Sequence, residues 1–223
     1  MSRSVLVVAA HTDDEALGCG GTIAKHVAQG DIVYAVFLAD GVTSRQDASE
    51  QELSERNAAA TSAHTILGIK QSFMLGFPDN RMDTVPLLDI VQKLEQVVDE
   101  VKPQIVYTHH NGDLNIDHRI THQAVLTACR PVPGSPVMEI YAFEVLSTTE
   151  WNSPVAKPFM PSVFVDISEH LETKMSALAA YELEMREAPH SRSIVNARRF
   201  AELRGSFVGV GAAEAMMAVR VIC

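Results

Sequence analysis

Apolar runs of strand length recur along the chain at residues 4–10, 32–39, 71–75 and 104–108, rich in Val, Ile, Leu, Phe or Tyr and with little polar alternation. Continuous apolarity over so few residues predicts strands covered on both faces. Two further runs, 139–145 and 162–165, read the same way. Between them lie longer stretches of helical period, at 15–29, 49–67, 86–101, 167–185 and 193–203. The first three end at Gly30, at Gly68 and just before Pro103, where a helix stop is needed. Alternation of this kind predicts an α/β protein, a Rossmann-like three-layer fold with a mostly parallel sheet. The last apolar run, "EAMMAVRVIC", reads either as a final buried strand or as a surface for a partner such as a second copy of the chain. The Pro-rich stretches "RPVPGSPV" and "NSPVAKPFMP" read as surface loops flanking the fifth strand.

Composition narrows this picture. A chain of 223 residues, 47% hydrophobic, suits one domain spanning 1–223. Its 18 Lys and Arg against 28 Asp and Glu give a formal charge of −10, which argues against nucleic acid or an anionic membrane as partner. Cys19, Cys129 and Cys223 form no CxxC pair, so neither a disulfide framework nor a thiolate zinc site is indicated, and a reducing cytoplasm is the expected setting. The N-terminal apolar run follows a single Arg3 and is too short for a signal peptide or an integral membrane segment. It predicts a first core strand.

Chemistry concentrates in two places. "VVAAHTDDEALGCGG", residues 7–21, carries His11, Asp13, Asp14 and Glu15 from the mouth of the first strand into a helix. "HHNGDLNIDHRITH", residues 109–122, follows the fourth. In a doubly wound sheet of order 3-2-1-4-5 the first and fourth strands are neighbours, and their carboxyl ends border one crevice. Imidazole and carboxylate converging there are a ligand set for Zn²⁺, and Fe²⁺, Mn²⁺ or Co²⁺ fit the same donors. Of the two aspartates, one would bind the ion and the other would serve as general base; spacing alone leaves their order open.

Other readings of these stretches are weaker. "DLNID" imitates a calcium loop, but position six is His118 where Gly is required and position twelve is Ala124 where Glu is required. "GCGG" lacks the spacing of a dinucleotide or P-loop and reads as close helix–sheet packing, with Cys19 a small core residue. Glu15 complements a helix N-terminus or supports a ligand by hydrogen bonding, and Asp117 reads as orienting a ligand or loop. His109 and His110 are pocket lining, ligand support or a polar strand end, and His122 is substrate-side or structural. His26, His64 and His170 lie in helical stretches away from both clusters and read as ordinary residues.

"AHTDDE" with "GCGGT", the downstream "DLNIDH", the central "ILGIKQSFMLGFPDNRMD" and the C-terminal "HSRS" and "AELRGSFVGVGAAEA" together resemble the LmbE/PIG-L family of metal-dependent N-deacetylases, over nearly the whole chain. The resemblance implies His11, Asp14 and His118 as metal ligands, Asp13 as general base, and removal of acetyl from an N-acetylglucosamine moiety. Thr12 stands in place of the family's usual proline. Asn115 stands where many members have a histidine that stabilises the oxyanion; an amide can donate a hydrogen bond there but carries no charge. Arg56, with His109 and His110, is expected on the substrate side, while Asp79 and Arg81 follow the third strand toward the same face and His190 borders the pocket or an oligomer contact. Glu214 reads as scaffold. The expected partner is a small amino-sugar substrate. Two alternatives are hydrolysis of another amide, such as a thiol conjugate or antibiotic intermediate, and a non-catalytic nucleotide-sugar-binding module, which the missing G-x-G-x-x-G disfavours.

Overall fold

The computed structural model describes residues 2–39, 41, 50–153 and 157–223. Its elements run β1 (Ser4–Ala9), α1 (Asp14–Ala28), β2 (Ile32–Ala39), α2 (Glu50–Leu67), β3 (Gln71–Phe77), α3 (Leu87–Val101), β4 (Ile105–His109), α4 (Ile116–Ala128) and β5 (Glu139–Phe143), followed by β6 (Val163–Asp166), α5 (Leu171–Ala180), α6 (Ile194–Ser206) and β7 (Ala213–Val221). The expected start of the second helix, Ser49, and part of the second Pro-rich loop lie outside the described residues. The helix expected over 167–185 is shorter: a 3₁₀ turn at Ser168–His170 leads into α5, which ends at Ala180.

The sheet has seven strands in the order β3-β2-β1-β4-β5-β7-β6. Its first five strands are parallel and follow the expected 3-2-1-4-5 order. Beyond β5 the chain departs from simple winding, because β7, the apolar C-terminal run, inserts antiparallel between β5 and β6. Of the two readings of that run, the structure makes it a strand.

Side chains alternate across β1: Val5 and Val7 enter a core shared with α1, α2, α5 and α6, whereas Leu6 and Val8 enter a second core under α3 and α4. Both faces are covered, which is why the strand carries no polar alternation. The β1–β4 pairing, Val5 with Ile105 and Val7 with Tyr107, brings the ends of these two strands side by side. Since β1 leads toward β2 and β4 toward β5, on opposite sides, their carboxyl ends open the crevice of a topological switch point.

Helix α1 is kinked where the GCGG cluster lies. Cys19 is non-helical (φ −145°, ψ 25°), which breaks the helical ladder between Leu17 and Gly21. The freed groups find partners: Lys174 Nζ donates to the Leu17 carbonyl at 2.9 Å, and Glu214 accepts from the amides of Gly21 (2.9 Å) and Thr22 (2.7 Å). Glu214 thereby caps the second half of α1 from β7, while Lys174 neutralises it at 2.5 Å. A Cβ at Gly18 would overlap the Phe143 ring, and one at Gly21 would stand 2.7 Å from Ile167 Cδ1. Close packing of helix on sheet, as read from the sequence, accounts for Gly18, while Gly21 is needed against Ile167 just beyond β6.

Glu214→Ala leaves Lys174 buried without its counter-charge and two amides unpartnered, so it is expected to cost about 3–5 kcal/mol of unfolding free energy. Urea denaturation measures it, and adding Lys174→Met to Glu214→Gln should recover part of the loss, since no buried cation is then left unpaired.

Candidate metal centre

His11 closes the turn after β1, Asp14 opens α1, and His118 lies in the first turn of α4. All three are buried. Asp14 Oδ2 lies 3.3 Å from His11 Nδ1 and 3.3 Å from His118 Nε2. Two donors bound tetrahedrally to one ion at about 2.0–2.1 Å stand about 3.3–3.4 Å apart, so the spacing and the His/Asp donor set both fit Zn²⁺ or a similar divalent ion. Asp14 sits at a helix N-terminus, where the backbone favours its negative charge.

Each imidazole is held from behind by carboxylates. His11 Nε2 faces Asp79 at 3.0 Å and Asp117 at 3.1 Å, and His118 Nδ1 faces Asp113 at 3.2 Å. His11, Asp79 and Asp117 form a second convergent group. Both oxygens of Asp117 there already accept backbone N–H bonds, from Asn80 (2.7 Å) and Met82 (3.1 Å), which fits the orienting role expected of it. Asp113 accepts from the Thr148 and Thr149 hydroxyls at 3.0 and 2.5 Å.

The electrostatics follow from these pairings. Burial would lower the His11 ring, but hydrogen bonds to Asp117, Asp14 and Asp79 raise its pKa well above the ordinary value. Burial likewise opposes the charge on His118, yet Asp14 and Asp113 raise it to about 9. Burial would raise Asp14, but the His118 charge and hydrogen bonds to His11 and His118 hold it well below the usual carboxylate range. In Asp113, hydrogen bonding to His118 overcomes burial and brings the pKa to about 2.

Asp13 differs from its neighbour. Its Oδ2 takes a hydrogen bond from Arg192 Nη1 at 2.9 Å, and its Oδ1 lies 4.0 Å from Arg56 Nη2. Burial raises its pKa to about 6 against the pull of Arg192. Its backbone is strained, at φ 109°. Glu15 holds that conformation: Oε2 accepts the Asp13 N–H at 3.0 Å, while Oε1 accepts the Tyr181 hydroxyl at 2.6 Å. Glu15 therefore supports the turn rather than merely facing a helix dipole.

A cavity of about 240 Å³ opens over these groups, lined by polar residues that include Asp13, Asp14, Arg56, Asn115, His118 and Arg192. Arg56 is buried and tied down by Thr12 Oγ1 (2.8 Å), the Thr12 carbonyl (2.8 Å) and Glu184 (2.6 Å). Asn115 is the N-cap of α4: its carbonyl oxygen accepts the Asp117 N–H at 2.8 Å, and its amide donates to Asn80 Oδ1 at 3.1 Å.

His109 and His110, expected on the substrate side, do not line this cavity. His109 is stacked on His118 with ring centroids 3.9 Å apart, and its Nε2 accepts the Ala10 N–H at 2.8 Å. Burial and the His118 charge push its pKa well below the ordinary value, so it packs as a neutral ring beneath the site. His110 points to the Lys157 carbonyl, 2.8 Å from its Nε2. His122 is structural, its Nδ1 within 2.8 Å of the His109 carbonyl. His64, read as remote from both clusters, stacks on Phe37 and stands 3.6 Å from Glu15, because α2 packs over α1.

Four participants escaped the sequence reading. Asp113 begins the DLNIDH motif and was visible only as a failed calcium-loop position. Arg192 lies within HSRS, far from the two clusters, and Tyr181 and Glu184 follow α5 with no motif around them.

A three-layer α/β fold with a buried His/Asp centre at its switch point defines the class of protein. The description "PIG-L: GlcNAc-PI de-N-acetylase" matches residues 6–129, and the chain belongs to that family. It is 32% identical over 182 residues to the uncharacterized deacetylase YaiS of Escherichia coli, covering 79% of this chain and 89% of that one. It is 29% identical to the probable N-acetyl-alpha-D-glucosaminyl L-malate deacetylase 2 of Bacillus cereus, covering 81% and 83%. Among solved structures, the conserved protein TT1542 of Thermus thermophilus superposes with a TM-score of 0.80 at 24% identity, over 99% of this chain and 96% of that one.

His118→Ala is expected to abolish stoichiometric binding of a divalent ion, and Asp113→Asn to weaken it by about 10–100-fold by leaving His118 unsupported. Equilibrium dialysis of both variants against Zn²⁺ measures this. In the wild type, affinity should fall as the pH is lowered from about 9, since the ion must displace the proton on His118.

Proposed function

We propose that this chain is a metal-dependent hydrolase that removes the acetyl group from an N-acetylglucosamine-type sugar or sugar conjugate, with His11, Asp14 and His118 as metal ligands and Asp13 as general base. One observation carries the reading: beside three donor atoms spaced for a single ion stands a fourth buried group, Asp13, committed to no ligand position and open to the same cavity. Family membership supports the choice of reaction, and the deacetylases among its relatives support the choice of substrate class. Zn²⁺ is the ion we assign, with Fe²⁺, Mn²⁺ and Co²⁺ compatible with the same donors. No described helix is long and apolar enough to cross a membrane, as suits a small polar substrate.

The bound ion supplies Lewis acidity toward a carbonyl oxygen and a water. Asp13, with a pKa of about 6, is ionised at neutral pH and close enough to it to accept a proton from the attacking water. The protonated carboxyl then returns that proton to the departing amine. Arg192 and Arg56 hold the carboxylate against the cavity wall in both states. Asn115, which lines the cavity and whose NH₂ keeps a second N–H beside the one given to Asn80, would donate to the developing oxyanion. The products are acetate and a free amino sugar.

Asp13→Asn should retain one ion per chain while acetate release from N-acetylglucosamine-bearing substrates falls by about 10²–10⁴-fold in kcat. Loss of the ion from this variant would instead make Asp13 a ligand. A metal-loaded wild type that releases no acetate from such sugars but cleaves other N-acetyl amides would move the substrate outside the sugars.

A further inference from the structure

The only tryptophan of the chain, Trp151, is 53% exposed. Many exposed apolar side chains need no explanation. This one stands on a turn that is fastened to the metal centre from two sides. On one side, Thr148 and Thr149 donate to Asp113, the carboxylate behind His118, and the Asn152 amide donates to the Gly112 carbonyl. On the other, Ser147 Oγ accepts from Arg192 Nε at 3.0 Å, and the same guanidinium reaches Asp13.

The turn is also closed upon itself. Ser147 has a φ of 72°, and its N–H donates to Glu150 Oε1 at 2.6 Å. The indole meets the His190 ring edge to face, with centroids 5.4 Å apart and an interplanar angle of 73°. His190 is itself fixed, since its Nδ1 accepts the Arg192 N–H at 3.1 Å. The half-exposed aromatic pair is thus fastened to Arg192, whose guanidinium reaches Asp13 and lines the cavity with polar walls.

A polar cavity around the acetamide supplies hydrogen bonds but no surface for the apolar C–H face of a pyranose ring. An immobilised aromatic supplies such a surface at little cost in conformational entropy, because neither the turn nor the ring has to be ordered on binding. We propose that Trp151, braced by His190, is the platform on which the sugar ring of the substrate packs, and so a specificity-determining residue for ring-bearing acetamides over open-chain ones. This rests on the deacetylase reading for its substrate. The platform itself can be tested without turnover.

Because the chain has a single tryptophan, intrinsic emission reports on this position alone. Titration of the metal-loaded protein with N-acetylglucosamine or glucosamine should shift or quench the emission saturably, and acyclic N-acetylethanolamine should not. In turnover, Trp151→Ala should raise KM for the sugar by about tenfold with kcat nearly unchanged, since the contact is made equally in ground and transition states. Trp151→Phe should restore most of the affinity, metal content should stay at the wild-type level, and N-acetylethanolamine hydrolysis should be unaffected. An active enzyme with static emission and an unchanged KM in Trp151→Ala overturns the platform and leaves the deacetylase reading standing. Sugar-dependent emission in a protein that releases no acetate supports the platform and overturns the deacetylase reading; static emission with no turnover overturns both. Emission that responds to protein concentration rather than to sugar would assign the indole to a contact between copies and overturn the proposal.

Discussion

Burying carboxylates is the constraint on which the rest of this structure depends. Asp13, Asp14, Glu15, Asp79, Asp113 and Asp117 are all buried around one point at the end of the sheet. Isolated, each would cost several kcal/mol or give up its charge. The protein meets this with imidazoles, two guanidiniums, a tyrosine hydroxyl and backbone amides, and each acid has its own compensator. Asp117 has two backbone N–H groups, Asp113 two hydroxyls and His118, and Glu15 has Tyr181 and the Asp13 N–H. Asp14 meets the His11 N–H and the edges of His11 and His118 with its second oxygen, and a divalent cation, as proposed, would complete the balance there. Asp13 is left with arginines, which hold it without taking a ligand position.

The same logic recurs one turn along α1. Breaking the helix at Cys19 frees a carbonyl and two amides in the core, and the Lys174–Glu214 pair satisfies all of them. A buried ion pair contributes little to stability when an apolar pair could replace it. Here no apolar pair could, because the groups to be satisfied are backbone dipoles. The kink lets the first turn of α1 carry Asp14 to His118 while Gly18 packs on Phe143 of β5 and Gly21 on Ile167. Strand β7 and helix α5 are therefore tied by electrostatics to α1, the helix that opens with Asp14.

Histidines show how context divides one residue type among roles. His11 and His118 are flanked by carboxylates on both ring nitrogens, which raises their basicity and leaves Nδ1 of His11 and Nε2 of His118 facing Asp14. His109 lies against His118, accepts an amide hydrogen and remains neutral. His26, near the C-terminal end of α1, bridges Asp31 and Tyr107. Their separation in roles follows from which groups the surrounding elements bring against each ring.

Much of this was legible along the chain. Short unbroken apolar runs alternating with helical periods gave the α/β class, and in a doubly wound sheet of order 3-2-1-4-5, which the first five strands follow, His11 and Asp14 meet the DLNIDH segment. Local motifs carry such information because ligands on one helix turn or one strand end are close in sequence. What the tertiary structure alone decided is long-range: the insertion of β7 between β5 and β6, the reach of Arg192 to Asp13, the bracing of Glu15 by Tyr181, and the withdrawal of His109 and His110 from the cavity. Those residues come from segments with no shared period or spacing, and only packing brings their charges within range of the buried acids. A sequence states which groups must be compensated, and the fold decides which distant partners compensate them.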